Sequence, residues 1–131
     1  MKYMLDTNTC VYLMKNVNSA VEQYKQKMHL GISISSIVSA ELYFGVYYST
    51  SVEKNGANLA RFLIGLETLE FDHGAAMEYG IIRATLQRRG ELIGPMDMLI
   101  AAHAKARGLI LVTSNIREFE RVEGLAIESW A

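Results

Sequence analysis

The chain has 131 residues, half of them apolar, with 13 basic and 14 acidic side chains and a net charge of -1. That is the size of one ordinary domain with enough hydrophobic material for a core, so a single domain over residues 1–131 is expected. The near-neutral total excludes a bulk electrostatic pull toward nucleic acid, no stretch reaches the roughly 20 uncharged apolar residues that cross a bilayer, and an acid at position 6 is too early for a secretory signal. The expected location is the cytoplasm, away from membranes.

In chain order, "KYML" (Lys2 to Leu5) is a short apolar run ending at Asp6, and "TNTCVYLMK" after it fits a brief helix. The single cysteine, Cys10, has no partner for an internal disulfide, and its apolar neighbours suit a small buried hydrophobe, not a nucleophile. Ser19 to Met28 reads as a polar helix and "GISISS" (Gly31 to Ser36) as a compact β-branched strand. A longer helix from about Ser36 to Ser49 carries Glu41, and Asn58 to Leu66 continues helical. Leu66 to Asp72 permits a strand. Ala75 to Arg89 is helical with Gly90 as terminator, and the next helix, Pro95 to Arg107, has proline at its first position and Gly108 just past its end. "LILVT" (Leu109 to Thr113) is a near-continuous apolar run, as in a strand covered on both faces, and Leu125 to Trp130 offers a last short strand. No repeat or low-complexity tract interrupts this order.

Strands that alternate with helices imply parallel strands joined by right-handed crossovers, hence a three-layer α/β/α domain with a mainly parallel sheet of about five strands. Ligands of such sheets sit beyond the carboxyl ends of the strands, where the strand order reverses. Asp6 and Asn115 fall at two such ends. Each acid also has a plain structural reading: Asp6 as a helix cap, Asp97 as an acid tolerated in a first helical turn, and Glu118 as part of an exposed ion-paired turn with Arg117 and Arg121. Glu41 fits such a reading least, because a lone carboxylate among "SAELYFGVYY" is costly unless paired or coordinated. If the strand ends carrying Asp6 and Asn115 are adjacent and the helices starting near Ser36 and Pro95 flank them, several carboxylates share one pocket. Such crowding is relieved by a divalent cation, and oxygen-only ligands with retained water suit Mg²⁺, with Mn²⁺ as substitute. His29, His73 and His103 lack the paired spacing of zinc ligands. An ion of this kind suits phosphodiester hydrolysis, with Arg83, Arg88, Arg89, Lys105, Arg107, Arg117 and Arg121 as the available backbone-binding cations.

The motifs "YMLDTN", "ISSIVSAELYFG", "IGPMDMLIAAHA" and "LVTSNIREFERVEGL", in this order over essentially the whole chain, closely resemble the PIN-domain ribonuclease toxins of the VapC family. The resemblance implies a compact PIN fold, Mg²⁺-dependent cleavage of RNA, expected to be transfer RNA in the anticodon region, and pairing with a small VapB-type antitoxin that makes the only DNA contact. A homodimer is also expected. By position, the family's first metal aspartate falls on Asp6, its helix glutamate on Glu41 and its second metal aspartate on Asp97. The fourth acid falls on Glu118, just before a phenylalanine, while Asn115 stands where many relatives carry an aspartate. In this reading Asp6 and Asp97 hold the metal, Glu41 and Glu118 complete the pocket and serve the attacking water, and Thr113 and Asn115 orient them. Two alternatives are a phosphoacceptor signalling domain, which would want paired acids after the first strand and a lysine after the last, and a catalytically inactive PIN-like binding module.

Overall fold

The computed structural model describes residues 1–131, in the order β1 (Tyr3–Leu5), α1 (Thr7–Met14), α2 (Asn18–Lys27), a 3-10 turn (Met28–Leu30), β2 (Ile32–Ser35), α3 (Ser36–Tyr47), α4 (Val52–Ile64), β3 (Glu67–Leu69), α5 (His73–Arg89), α6 (Pro95–Ala106), β4 (Ile110–Val112), α7 (Ile116–Phe119) and β5 (Ile127–Glu128). The five strands form one parallel sheet in the order β3-β2-β1-β4-β5. Right-handed crossovers therefore place α1 to α4 on one face and α5 to α7 on the other, a three-layer α/β/α arrangement.

Burial explains the strand sequences. β1 has neighbours on both edges and helices on both faces, and Tyr3, Met4 and Leu5 are all buried, as are Leu111 and Val112 of β4. Their continuous apolar runs are what a doubly covered parallel strand requires. β3 lies on the sheet edge, exposes Glu67 and Thr68, and was correspondingly the faintest strand in the sequence. The last strand is fastened by side chains: Glu128 accepts from both Lys27 Nζ and Trp130 Nε1 at 2.6 Å, and Trp130 packs edge-on against Tyr3.

Helix ends follow local chemistry. Gly90 closes α5 in the left-handed conformation at φ 66°, where a β-carbon would be strained. Pro95 opens α6, and this helix sets small residues, Ala101, Ala102 and Ala104, against the core at full burial. The structure differs from the sequence reading at α4, which starts at Val52 and not at Asn58. Its first turn, Val52 to Asn55, is polar apart from the exposed Val52, so it carried little periodic apolar signal.

Candidate active site

The order of strands turns at β1. The chain steps outward on one side to β2 and β3, then crosses to β4 on the other, and Leu5 pairs with Val112. Asp6 and Thr113 thus leave adjacent strands side by side, and the Asp6 backbone N–H donates to Val112 O at 3.0 Å. This is the crevice in which open α/β sheets hold ligands.

Four acids reach it from four elements. Asp6 ends β1 and caps α1: its Oδ1 accepts from Thr9 N–H at 2.8 Å, and the residue is 5% exposed. The structural role expected of a cap is therefore real, yet Oδ2 takes none of the hydrogen bonds and is left for another partner. Glu41 lies in the second turn of α3, where its Oε1 accepts from the Thr7 hydroxyl at 2.5 Å. Asp97 stands in the first turn of α6, whose N-terminal residue Gly94 contributes no side-chain cap. Glu118 sits in α7. It makes no ion pair, contrary to the exposed-turn reading; Oε1 accepts from Gly94 N–H at 3.0 Å and Oε2 from Asn115 Nδ2. The Thr113 hydroxyl in turn accepts from Asn115 N–H at 2.9 Å and is fully buried.

Electrostatics ties the four together. The Asp97 carboxyl is pushed up to about 6, first by burial, then by the Glu118 charge and a shared hydrogen bond with Glu118, and further by the charges of Glu41 and Asp6. Each of the other three acids is thus close enough to Asp97 to oppose its ionisation. None of the four forms an ion pair: the three ion pairs of the chain are Lys27–Glu128, Arg89–Glu123 and Lys105–Glu78.

The residues fit a hard cation in one particular manner. Every nearby donor is oxygen, the negative charge is uncompensated, and no three acidic or imidazole groups already converge as a preformed ligand cage. Mg²⁺ tolerates that, because it keeps several waters and asks for only one or two direct carboxylates. Gly94 is part of the pocket wall, since a β-carbon there would meet Asp97 Oδ2 at 3.3 Å and Glu118 Oε1 at 4.0 Å.

Cys10 is fully buried and its thiol is raised by burial and by Asp6, in keeping with a structural role. His103 is buried too, its Nδ1 2.7 Å from Ser35 Oγ and its proton affinity lowered mainly by burial, while His29 and His73 are exposed. None of the three bonds to an acid of the site. Of the seven cations read as candidate RNA contacts, Lys105 and Arg107 lie at the far end of α6 from Asp97, roughly 12–15 Å along the axis. Arg121 holds the loop before α6 through Leu92 O at 3.2 Å. Arg88 and Arg89 end α5 on the same side as the start of α6, with Arg117 beside Glu118. What sequence reasoning passed over is Gly94, whose signal was its place three residues before Asp97.

The family model for the PIN domain matches residues 3–125. The chain is 45% identical to a protein named tRNA(fMet)-specific endonuclease VapC from Salmonella typhimurium, over 99% of this chain and 98% of that one. It is 43% identical to a protein of the same name from Shigella flexneri, covering 100% and 99%. Among solved structures, VapBC2 from Rickettsia felis bound to a DNA fragment from its promoter contains a chain that superposes at a TM-score of 0.96, with 42% identity and 100% coverage of both.

Proposed function

Because the chain belongs to the VapC family of PIN domains, we propose that it is a Mg²⁺-dependent endoribonuclease, the toxin of a VapBC pair, cutting transfer RNA in the anticodon region. The observation that carries the chemistry is the Asp97 carboxyl, raised to about 6 by burial and by three neighbouring acids, none of them ion-paired. The transfer RNA substrate and the VapB-type partner rest on the names of the similar proteins from Salmonella and Rickettsia. Mn²⁺ is the expected substitute ion.

Asp97 and the free Oδ2 of Asp6 would hold the ion, directly or through water. When bound, Mg²⁺ supplies a Lewis acid that makes a nearby water more acidic and offsets the charge gathering on phosphorus. Glu41 and Glu118 receive the proton of the attacking water or hold that water in line with the scissile bond. Glu118 is preset for this by Gly94 and Asn115, and Glu41 by Thr7, so neither has to be reoriented when RNA arrives. Arg88 and Arg117, exposed at the site end of the molecule, are placed to meet the RNA backbone as point charges.

The deciding measurement is cleavage of transfer RNA by the purified chain with Mg²⁺, with EDTA, and by the Asp97→Asn variant. Cutting that requires the ion and is lost in the variant is the expected result. Cutting that persists at full rate in EDTA or in Asp97→Asn would remove the proposed mechanism.

A further inference from the structure

His103, in the second half of α6, is completely buried, and the mechanism above does not use it. Its Nδ1 lies 2.7 Å from the hydroxyl of Ser35, which is also fully buried. Ser35 ends β2 and caps α3, where its Oγ accepts from Ile37 N–H at 3.1 Å. The hydroxyl proton is then free to go to Nδ1, which assigns the imidazole proton to Nε2; the reverse direction would leave the Ser35 proton without an acceptor. Nε2 has no hydrogen-bond partner, and the ring meets Phe71 edge to face with centroids 5.5 Å apart. Phe71 in turn donates its N–H to Ser36 Oγ at 3.0 Å, so the first residues of α3 are held from two directions.

A buried polar atom without a partner is costly, and a leucine in this place would fill the space without that cost. What the imidazole offers and an apolar side chain does not is a directional link between α6 and the start of α3. These helices belong to opposite layers of the fold. Apolar packing resists their separation but allows sliding, whereas a short hydrogen bond fixes their register. Asp97 stands six residues before His103 on α6, and Glu41 six residues after Ser35 on α3, each about 9 Å along its helix. A displacement at the link is carried along these helices to both acids, because close-packed interiors transmit strain.

We infer that His103 and Ser35 are a positioning pair for the acid pocket: their hydrogen bond sets the register of α6 against α3, and with it the separation of Asp97 and Glu41 that a divalent cation meets. The inference rests on the metal-nuclease reading above and adds to it two residues that act only through those acids.

The test compares the intact chain with His103→Leu, Ser35→Ala, the double variant and His103→Asn, each shown by melting to be folded at the assay temperature. His103→Leu breaks the link and leaves the Ser35 cap of α3 in place; should it fail to fold, Ser35→Ala, which removes one oxygen, carries the same measurements. Calorimetric titration of the metal-free proteins with Mn²⁺ is the first readout. Direct partners of metal ligands are worth about 10- to 100-fold in affinity, so a link further away should raise the Kd for Mn²⁺ by about 3- to 10-fold. The double variant should lose no more affinity than either single one, since all three break the same link. For RNA cleavage, kcat should fall by about 10-fold with KM within about twofold, and His103→Asn, whose amide can bond Ser35, should recover most of both losses. Crystal structures of the metal-free intact chain and His103→Leu should show the Asp97 carboxyl displaced against Glu41 by about 0.5 Å or more, the tolerance of a positioned site. An intact chain that neither binds Mn²⁺ nor cuts RNA would end the nuclease reading, and the displacement would still decide the link. Acids that keep their places in folded His103→Leu, or Mn²⁺ affinity and kcat unchanged in both single variants, would overturn the positioning pair and leave a hydrogen bond that serves folding alone.

Discussion

The two halves of the acid pocket handle their negative charge in opposite ways. On the β1 side, each carboxylate has a neutral donor of its own: Thr9 N–H for Asp6 and the Thr7 hydroxyl for Glu41. On the α6 side, both identified donors, Gly94 N–H and Asn115 Nδ2, go to Glu118, and Asp97 is left facing Glu118 with none. Asp97 also feels all three other acids, and its carboxyl is raised to about 6, first by burial and then by the charge of Glu118.

The largest expected effect tests that asymmetry at its centre. Asp97→Asn removes a carboxylate charge while keeping shape, so on the proposed mechanism RNA cleavage should fall by about 100-fold or more, in line with the several kcal/mol a positioned metal supplies. Thermal stability without metal should hold or rise, because the variant relieves crowding. Asp6→Ala should lose cleavage as well, but with about 1 kcal/mol of stability lost along with the α1 cap. Equal destabilisation of both variants in paired melts would show that the two halves do not differ as described.

Next in size is Asn115→Ala, which takes away one of the two donors that hold Glu118. A hydrogen bond to a charged acceptor contributes roughly 1.5–3 kcal/mol, and partial exposure reduces that, so a drop in kcat of about tenfold is expected. Asn115→Asp should do worse than Asn115→Ala, since it replaces a donor with a fifth charge beside Glu118 and Asp97. If the aspartate variant equalled wild type, position 115 would be a ligand position and not a support for Glu118.

Much of this site could be read from sequence, and the reason is geometric. A parallel strand with both faces covered must end abruptly, so the acid that follows "YML" is fixed to the carboxyl edge, and proline at the start of α6 sets Asp97 in its first turn. Those two placements depend on local chemistry alone. The hydrogen bonds of Glu118 were hidden because they join residues 24 apart in one case and rest on the turn after β4 in the other, so local patterning gave only an exposed charged turn. At the end of α3, Val46 is buried, whereas Phe44, Tyr47 and the following Tyr48 are each at least 66% exposed, as a helix too apolar for one face requires. The start of α4 was not legible, because the helix begins at Val52, about a turn and a half before its apolar pattern does.

A smaller effect should appear in stability against pH. The folded Asp97 carboxyl keeps its proton to about 6, whereas the unfolded chain releases it near 3.8. Between those values the native state binds more protons, so this group's contribution to stability is complete below about pH 4 and is lost as pH rises through 6. For a half-exposed group the loss is on the order of 1 kcal/mol after screening. The difference in melting temperature between wild type and Asp97→Asn in EDTA should therefore favour the variant progressively from pH 4.5 to 7. Saturating Mg²⁺ should cancel that trend in the wild type alone, because a bound cation favours the ionised form. A difference that stayed flat across this range would place the crowding elsewhere than on Asp97.

The smallest effect belongs to the quiet half. Thr7→Val keeps the shape of the side chain and deletes the hydroxyl that donates to Glu41 Oε1 at 2.5 Å. Glu41 is only partly buried, so water replaces the donor and the cost to folding should stay below about 1 kcal/mol. The catalytic consequence is larger than the structural one, because a Glu41 free to rotate spends less time aligned with the attacking water. A loss in kcat of a few-fold with KM for RNA nearly unchanged is expected, and Thr7→Ser, which restores the donor, should recover the rate. A change confined to KM would mean that the methyl face of Thr7 contacts RNA and that Glu41 needs no help in holding its position. Recovery by serine separates these outcomes, because serine returns the hydroxyl and omits the methyl.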